Sequence, residues 1–329
     1  MRLVVASGKG GTGKTLVATN LAWSLAARGA KATYVDADVE APNGHLFLPP
    51  DLAGAQRYAV PVPTLVVPHC SGCGACAEAC QFGAIVAGTD GVTVYPDLCH
   101  SCGVCVRACP EAALGEVPRE TGTLRRGHAG PGHEERGREG RGHVGPGHEE
   151  RGREGRGHVG TGHEERGREG RGHVGRMGFV DGTLDPGETR AAPLIQATVA
   201  LGRREGCTVI DAPPGTSCSA VAAVEDADLV LLVCEPTPFG LHDLALSLQM
   251  CEHLGLETRA VINRSDVGDD GVRSFLADEG VPVVAEIPFD RRIATACATG
   301  VLAYTRVPSF ASTMDALADR LFERCEDRP

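Results

Sequence analysis

The sequence predicts an α/β protein: a parallel sheet with crossover helices, interrupted by a small α+β cysteine module and by a low-complexity repeat. Three observations carry this. A glycine-rich string, GKGGTGKT from Gly8 to Thr15, stands directly after the strand-like run RLVVA and before a helical stretch over residues 16–28. Strand-like runs recur at residues 32–35, 207–210, 227–234 and 259–262, and that over residues 227–234 has the length of a buried strand. Eight of the 14 cysteines fall into two runs of identical spacing. At 329 residues the chain has material for about two domains.

The string from Gly8 to Thr15 satisfies G-x-x-x-x-G-K-[ST] at a strand–helix junction. There a glycine turn points backbone N–H groups at phosphates, and the helix N-terminus favours the anion. Gly8, Gly10, Gly11, Thr12 and Gly13 form the cradle; Lys14 is placed to reach the β- and γ-phosphates and Thr15 to hold Mg²⁺. Arginine outnumbers lysine 29 to 3, yet Lys9 and Lys14 both lie in this loop. An ammonium is a compact point charge, unlike a guanidinium, so two lysines here suggest two phosphate contacts.

The pattern KGGTGKT resembles the deviant Walker A loop of the MinD-type ATPases, a group that includes MinD, the Mrp-type iron–sulfur carriers and the nitrogenase iron protein. The resemblance implies a parallel-sheet P-loop NTPase fold, ATP and Mg²⁺ as ligands, and slow ATP hydrolysis. It also implies an ATP-dependent homodimer in which Lys9 reaches across to the partner's nucleotide. In that family the strand over residues 32–35 leads to carboxylates near Mg²⁺, which assigns Asp36 to the Mg²⁺ and switch network and Asp38 to positioning the attacking water.

Cysteines 70, 73, 76 and 80, and again 99, 102, 105 and 109, spell C-x2-C-x2-C-x3-C twice. Such a run wraps three thiolates around one [4Fe-4S] cluster while the fourth serves the other. One cluster is expected on Cys70, Cys73, Cys76 and Cys109, the other on Cys99, Cys102, Cys105 and Cys80. Zinc is the competing ion for paired C-x2-C elements. Residues 62–117 resemble the bacterial two-cluster ferredoxin; Pro110 follows the last ligand as in that pattern, and Gln81 stands where the first copy would carry proline.

From His128 a 15-residue unit, HAGPGHEERGREGRG, recurs as HVGPGHEERGREGRG from His143 and as HVGTGHEERGREGRG from His158. Residues 125–176 hold 17 of the 44 glycines and only four apolar side chains, too few to offset ordering entropy, so a disordered insert is expected. Residues 122–126 and 177–183 read as the two strands of a hairpin with the insert at its tip. The repeat's H-x4-H pairs leave metal binding open, as in a nickel chaperone. Interleaved glutamates and the absence of aromatics speak against nucleic acid. Outside the repeat, 20 basic and 34 acidic side chains give a net charge of −14, against −11 for the whole chain. Neither figure suits phosphate neutralisation.

After the repeat, the strand over residues 207–210 ends in DAPPGT, a string especially like the Mrp-type members, with Asp211 as the Walker B carboxylate and Gly215 in a turn that can sense the γ-phosphate. The strand over residues 259–262 ends in Asn263, which in the family reads the adenine, and residues 287–290 lie near the base. Residues 239–254 space Leu241, Leu244, Ala245 and Leu248 along one helical face. Cys218 reads as a small buried residue or, by likeness to the nitrogenase iron protein, as a cluster ligand on a dimer axis. The other five cysteines, 207, 234, 251, 297 and 325, read as core or incidental thiols.

The expected division is therefore residues 1–61 and 188–329 as the two parts of the ATPase domain, 62–117 as the ferredoxin and 118–187 as a hairpin carrying the repeat. No signal or membrane segment is evident, which suggests a cytoplasmic protein. The expected function is ATP-switched electron transfer to a redox partner, or iron–sulfur delivery to an apo acceptor protein. A ferredoxin that binds nucleotide only as a regulator is the non-catalytic alternative.

Overall fold

A computed structural model describes residues 1–66, 70–88, 91–130, 175–203 and 206–322. The strands are β1 (Arg2–Ala6), β2 (Ala32–Asp36), β3 (Asp51–Leu65), β4 (Ile85–Gly88), β5 (Gly91–Val94), β6 (Leu114–Ala129), β7 (Met177–Leu184), β8 (Cys207–Asp211), β9 (Leu229–Cys234), β10 (Thr258–Asn263) and β11 (Val283–Ile287). The helices are α1 (Lys14–Ala27), α2 (Gly44–Phe47), α3 (Ala75–Glu78), α4 (Val104–Ala108), α5 (Ala191–Leu201), α6 (Cys218–Val224), α7 (Pro238–His253), α8 (Gly271–Asp278), α9 (Arg291–Ala298) and α10 (Pro308–Phe322).

Nine strands form one sheet in the order β11-β10-β9-β1-β8-β2-β7-β6-β3. All pairings from β11 to β7 are parallel, whereas β6 pairs antiparallel with both β7 and β3. Alternation along the central strands sorts the core onto two faces. Leu3, Val5, Tyr34, Val209 and Leu231 face a cluster under α1 and α10, while Val4, Val35, Ile210, Val230 and Leu232 face one under α5, α6 and α7. Helix α7 begins with Thr237, whose side chain accepts from Gly240 N at 3.0 Å, and Pro238 in its first turn. Of its expected apolar face, Leu244 and Leu248 are buried.

The long pair β3–β6 carries the cysteine module. A 15-residue strand spans roughly 50 Å at about 3.4 Å per residue. One end of the ribbon therefore completes the sheet edge while the other, from Val62↔Val117 to Leu65↔Leu114, belongs to the module. Pro61 and Pro63 sit in the outermost strand β3, where missing donors are tolerated. The two cysteine runs are offset by 29 residues, and the backbone repeats with them. Gly72, Gly74 and Gly83 in the first copy and Ser101, Gly103 and Ala112 in the second all have positive φ, between 50° and 82°. The pair β4–β5 stands in one copy as the ribbon's end, β3–β6, stands in the other.

The ribbon corrects the expected start of the repeat insert. Arg125 to Ala129 are strand, paired with β7 out to Ala129↔Met177. Composition marks them as part of a polar repeat, but strand pairing uses backbone groups, which the repeat's side chains do not disturb. Residues 131–174, including the remaining six repeat histidines, lie outside the described residues.

Phe179 on β7 is fully buried, with its ring centroid 5.6 Å from that of Tyr34. Phe179→Ala is expected to lower unfolding stability by about 3–5 kcal/mol through the cavity it leaves, read as a fall in the urea midpoint.

Candidate functional site

The glycine loop, the ends of β1, β2 and β8, and the start of α9 enclose a cavity of about 490 Å³. Ser7, Lys9, Gly10, Gly11, Gly13, Lys14, Thr15, Asp38, Asn263 and Asp290 are among its lining residues. This is the carboxyl end of a parallel sheet, where such folds bind ligands. Helix α1 starts from Gly13 at φ 96° with neither a side-chain cap nor an acidic residue in its first turn, so its N–H groups remain available to an anion. Gly8 packs so closely on α7 that a Cβ there would lie 2.2 Å from the Asp243 carbonyl oxygen. Thr12 is buried with its Oγ1 unpartnered. Gly215, at φ 90°, donates its N–H to the Ser7 carbonyl at 2.9 Å, which brings the turn after β8 beside the loop.

Lys14 is buried and donates to Asp211 Oδ1 at 2.5 Å; Tyr34 O–H donates to Asp211 Oδ2 at 3.1 Å. Asp36 stands level with Asp211 in the parallel register of β2 and β8. Its carboxylate accepts from the backbone N–H groups of Asp38 (3.2 Å), Asn43 (3.0 Å) and Gly44 (2.8 Å). A third carboxylate, Asp181, is level with Asp36 on the other side, on β7, and is held by the Arg125 fork at 2.9 and 2.5 Å. The row thus reads Lys14, Asp211, Asp36, Asp181, Arg125: three buried carboxylates between two cations. Burial, and next the charge of Asp211, push the Asp36 carboxyl up to about 8. Asp38, at the pocket wall, is also raised, first by burial, with Lys14 opposing and Asp211 reinforcing.

Asn263 is buried against the loop, its amide donating to the Thr12 carbonyl at 2.8 Å, so a Cβ on Gly13 would come within 2.4 Å of Nδ2. Pro288, Phe289, Asp290, Ile293 and Cys297 line the same end of the pocket. The motifs did not single out Asp181, Tyr34, Arg125 or Cys297. A carboxylate inside the otherwise apolar GFVDG of β7 is the signal that points to Asp181. Cys218 is exposed at the start of α6, which corrects its reading as a buried residue: the six-residue turn after Asp211 carries it past the sheet. Cys207, Cys234 and Cys251 are buried in the core; Cys325 lies outside the described residues.

In the cysteine module, Cys76, Cys99 and Cys105 are buried while Cys73 and Cys102 are exposed. Cys80, Cys99, Cys102 and Cys105 line one small cavity. Backbone N–H groups point at thiol sulfurs: Ala84 to Cys80 (3.3 Å), Ser101 to Cys99 (3.4 Å) and Ala113 to Cys109 (3.3 Å). Burial pushes the Cys76 thiol up, with Cys109 and Cys70 adding to it, and the Cys105 thiol likewise, with Cys99 and Cys102. Among the described residues, no three His, Cys, Asp or Glu side chains are grouped to hold a single metal ion. None of the described helices is long and apolar enough to cross a membrane.

Fold and pocket together define a P-loop nucleotide-binding protein. The chain belongs to the CobQ/CobB/MinD/ParA nucleotide binding domain family, whose model matches residues 3–303. It is 32% identical over 114 residues to an uncharacterized protein of Methanocaldococcus jannaschii, a match covering 34% of this chain and 39% of that one. A second uncharacterized protein of that organism is 24% identical over 327 residues, covering 98% and 97%. The fold is similar to that of the septum site-determining protein MinD complexed with Mg-ADP from Pyrococcus horikoshii, with a TM-score of 0.53, 17% identity and coverage of 97% and 95%. It is equally similar to the cell division ATPase MinD of Pyrococcus furiosus, with a TM-score of 0.53, 18% identity and coverage of 98% of each chain.

Two outcomes follow from this geometry. An aspartate whose folded pKa is raised makes its contribution to stability below the unfolded value near 4 and loses it as pH climbs to about 8. Thermal melts of nucleotide-free protein should therefore weaken across that window, and Asp36→Asn should flatten the slope whatever its absolute stability. Gly13→Ala, forced to positive φ against Asn263, is expected to lose nucleotide binding in a fluorescent-nucleotide titration while secondary structure persists.

Proposed function

We propose that the chain is an ATP-hydrolysing switch whose nucleotide state governs a two-cluster ferredoxin module, and that its work is ATP-gated, low-potential electron transfer. The observation that carries this reading is the ribbon β3–β6, which joins the nucleotide-binding sheet and the cysteine module in one continuous pair of strands. The cysteine chemistry supports the module's share. The left-handed backbone positions repeat in both copies, N–H groups are aimed at three of the sulfurs, and four cysteines surround one cavity. Cubane ligands sit at separate iron corners rather than around one ion, so two four-cysteine runs suit clusters better than zinc. Bound there, the clusters would supply one-electron chemistry. Cys70, Cys73, Cys76 and Cys109 would hold one, and Cys99, Cys102, Cys105 and Cys80 the other.

At the nucleotide, Lys14 neutralises phosphate charge, Thr15, Asp36 and Asp211 serve Mg²⁺, and Asp38 orients the attacking water. Asn263 and residues 287–290 face the base. Lys9 lines the pocket and reaches the nucleotide of a second copy in an ATP-dependent homodimer. The Mg-ADP of the Pyrococcus MinD complex supports nucleotide and Mg²⁺ as ligands here. One observation favours a second reading, delivery of iron–sulfur clusters to an apo acceptor: Cys218 is exposed just beyond Asp211.

Anaerobic reconstitution tests both. About eight irons per chain are expected. Clusters that stay bound to the protein and change reduction potential with ATP support electron transfer, whereas ATP-dependent loss to an apo acceptor supports delivery. Zinc without iron would sink both. Asp38→Ala is expected to lower phosphate release by about two orders of magnitude while light scattering still shows ATP-dependent dimers. Unchanged turnover would remove Asp38 from its role and favour a nucleotide that only regulates.

A further inference from the structure

A short, continuous path of bonds leads from the nucleotide pocket to one of the two cysteine sets. Asp38 lines the pocket, and the carbonyl of the next residue, Val39, accepts from Leu184 N at 2.8 Å at the end of β7. Asp185 follows; its N–H donates to the Thr121 carbonyl at 3.0 Å on β6, and its carbonyl accepts from Glu188 N at 3.0 Å. The Glu188 side chain is 5% exposed and holds Arg190 in a fork, Nε to Oε1 at 2.7 Å and Nη2 to Oε2 at 2.8 Å. The remaining amine of that guanidinium, Nη1, donates to the backbone carbonyl of Cys99. From β6, Arg119 donates to Glu188 Oε2 at 2.7 Å and to Asp97 at 2.6 Å, so four charged side chains converge beside Cys99.

A buried ion pair of this kind adds little net stability, because desolvation offsets the attraction; what it fixes is geometry. The planar guanidinium cannot follow Glu188 without moving its third nitrogen, so a displacement of residues 184–188 is handed on to the Cys99 carbonyl. Charges and dipoles beside a cluster ligand set reduction potential. The other cysteine run has an unlike neighbour at the corresponding place: there Ser71 N donates to a carboxylate, Glu111, at 3.3 Å. One run thus meets a cation from the nucleotide-binding part, and the other an anion of its own module.

The geometry points to residues 184–190 as a strap through which nucleotide state acts on one cluster only, that of Cys80, Cys99, Cys102 and Cys105, with Arg190 as its positioning residue. This inference rests on the proposed reading that both clusters are present.

The test is a potentiometric titration of the reconstituted full chain, followed by electron paramagnetic resonance, with and without a non-hydrolysable ATP analogue. The cluster concerned is identified by the signal that Cys102→Ser alters. In the wild type that cluster's potential is expected to shift on nucleotide binding while the other's stays. Arg190→Gln should lose at least half of the shift with nucleotide affinity within about twofold of wild type, and Arg190→Lys, which keeps a cation at the carbonyl, should recover part of it. Full iron content in Arg190→Gln controls for folding of the module. A shift that survives intact in Arg190→Gln, or that falls on the other cluster, would overturn the strap and leave the proposed function standing; a shift missing in the iron-loaded wild type would overturn the strap and ATP-gated electron transfer together. A wild type without iron would overturn both.

Discussion

The row of three carboxylates, Asp211, Asp36 and Asp181, is the constraint on which the rest of the structure turns. Parallel register places the three side by side on β8, β2 and β7, all buried. Adjacent buried anions repel in low dielectric, so the arrangement stands only because Lys14 closes one end and Arg125 the other, with a proton retained on Asp36 up to about pH 8. Each cation is also a structural tie. Lys14 begins α1 and fixes the glycine loop to β8, while Arg125 fixes β6, and with it the ribbon, to the sheet beside the nucleotide pocket. The phosphate loop and the stalk of the cysteine module are thus two ends of one electrostatic unit.

The module's own order comes from backbone rather than from core volume. Its buried apolar side chains are few, chiefly Val62, Ala84, Ile85 and Leu114 alongside the cysteines themselves. What repeats between its halves is the set of left-handed positions, and the second half adopts them at Ser101 and Ala112 without the help of glycine. A non-glycine residue in that region costs about 1 kcal/mol or more, so those turns are held by what surrounds them. Sulfur atoms accepting backbone N–H bonds at Cys80, Cys99 and Cys109 are part of that surrounding.

Much of this was legible in the sequence, because glycine loops and cysteine runs act through local spacing. The strand–loop–helix around Lys14, the carboxylates at the ends of β2 and β8, and the hairpin into the repeat are all where spacing and apolar runs put them. What spacing does not carry is register between strands distant in sequence. Asp181 becomes a neighbour of Asp36 only once β7 pairs beside β2, across 145 residues of chain. Arg190 likewise looks like one more arginine in a chain that has 29, and its place at Cys99 follows from how β7 turns into α5. Composition also misled at Gly127 to Ala129: they belong by content to a polar repeat and by position to the sheet, beyond the strand expected over residues 122–126.

Net charge sharpens why these few cations matter. In a chain of net −11, an anionic nucleotide meets a favourable local field at Lys9, Lys14 and the unopposed N-terminus of α1. The ammonium of Lys14 has three donors and Asp211 takes one of them, so phosphate can be engaged without breaking the tie to β8. A divalent cation placed between Asp36 and Asp211 would do electrostatically what the proton on Asp36 does, and would displace it. Asp38 and Val39 follow Asp36 directly in the chain, and Val39 is bonded to the end of β7. Proton and metal therefore compete at a point that is tied through Val39 to the end of β7, and the segment after β7 carries Arg190 to the carbonyl of Cys99.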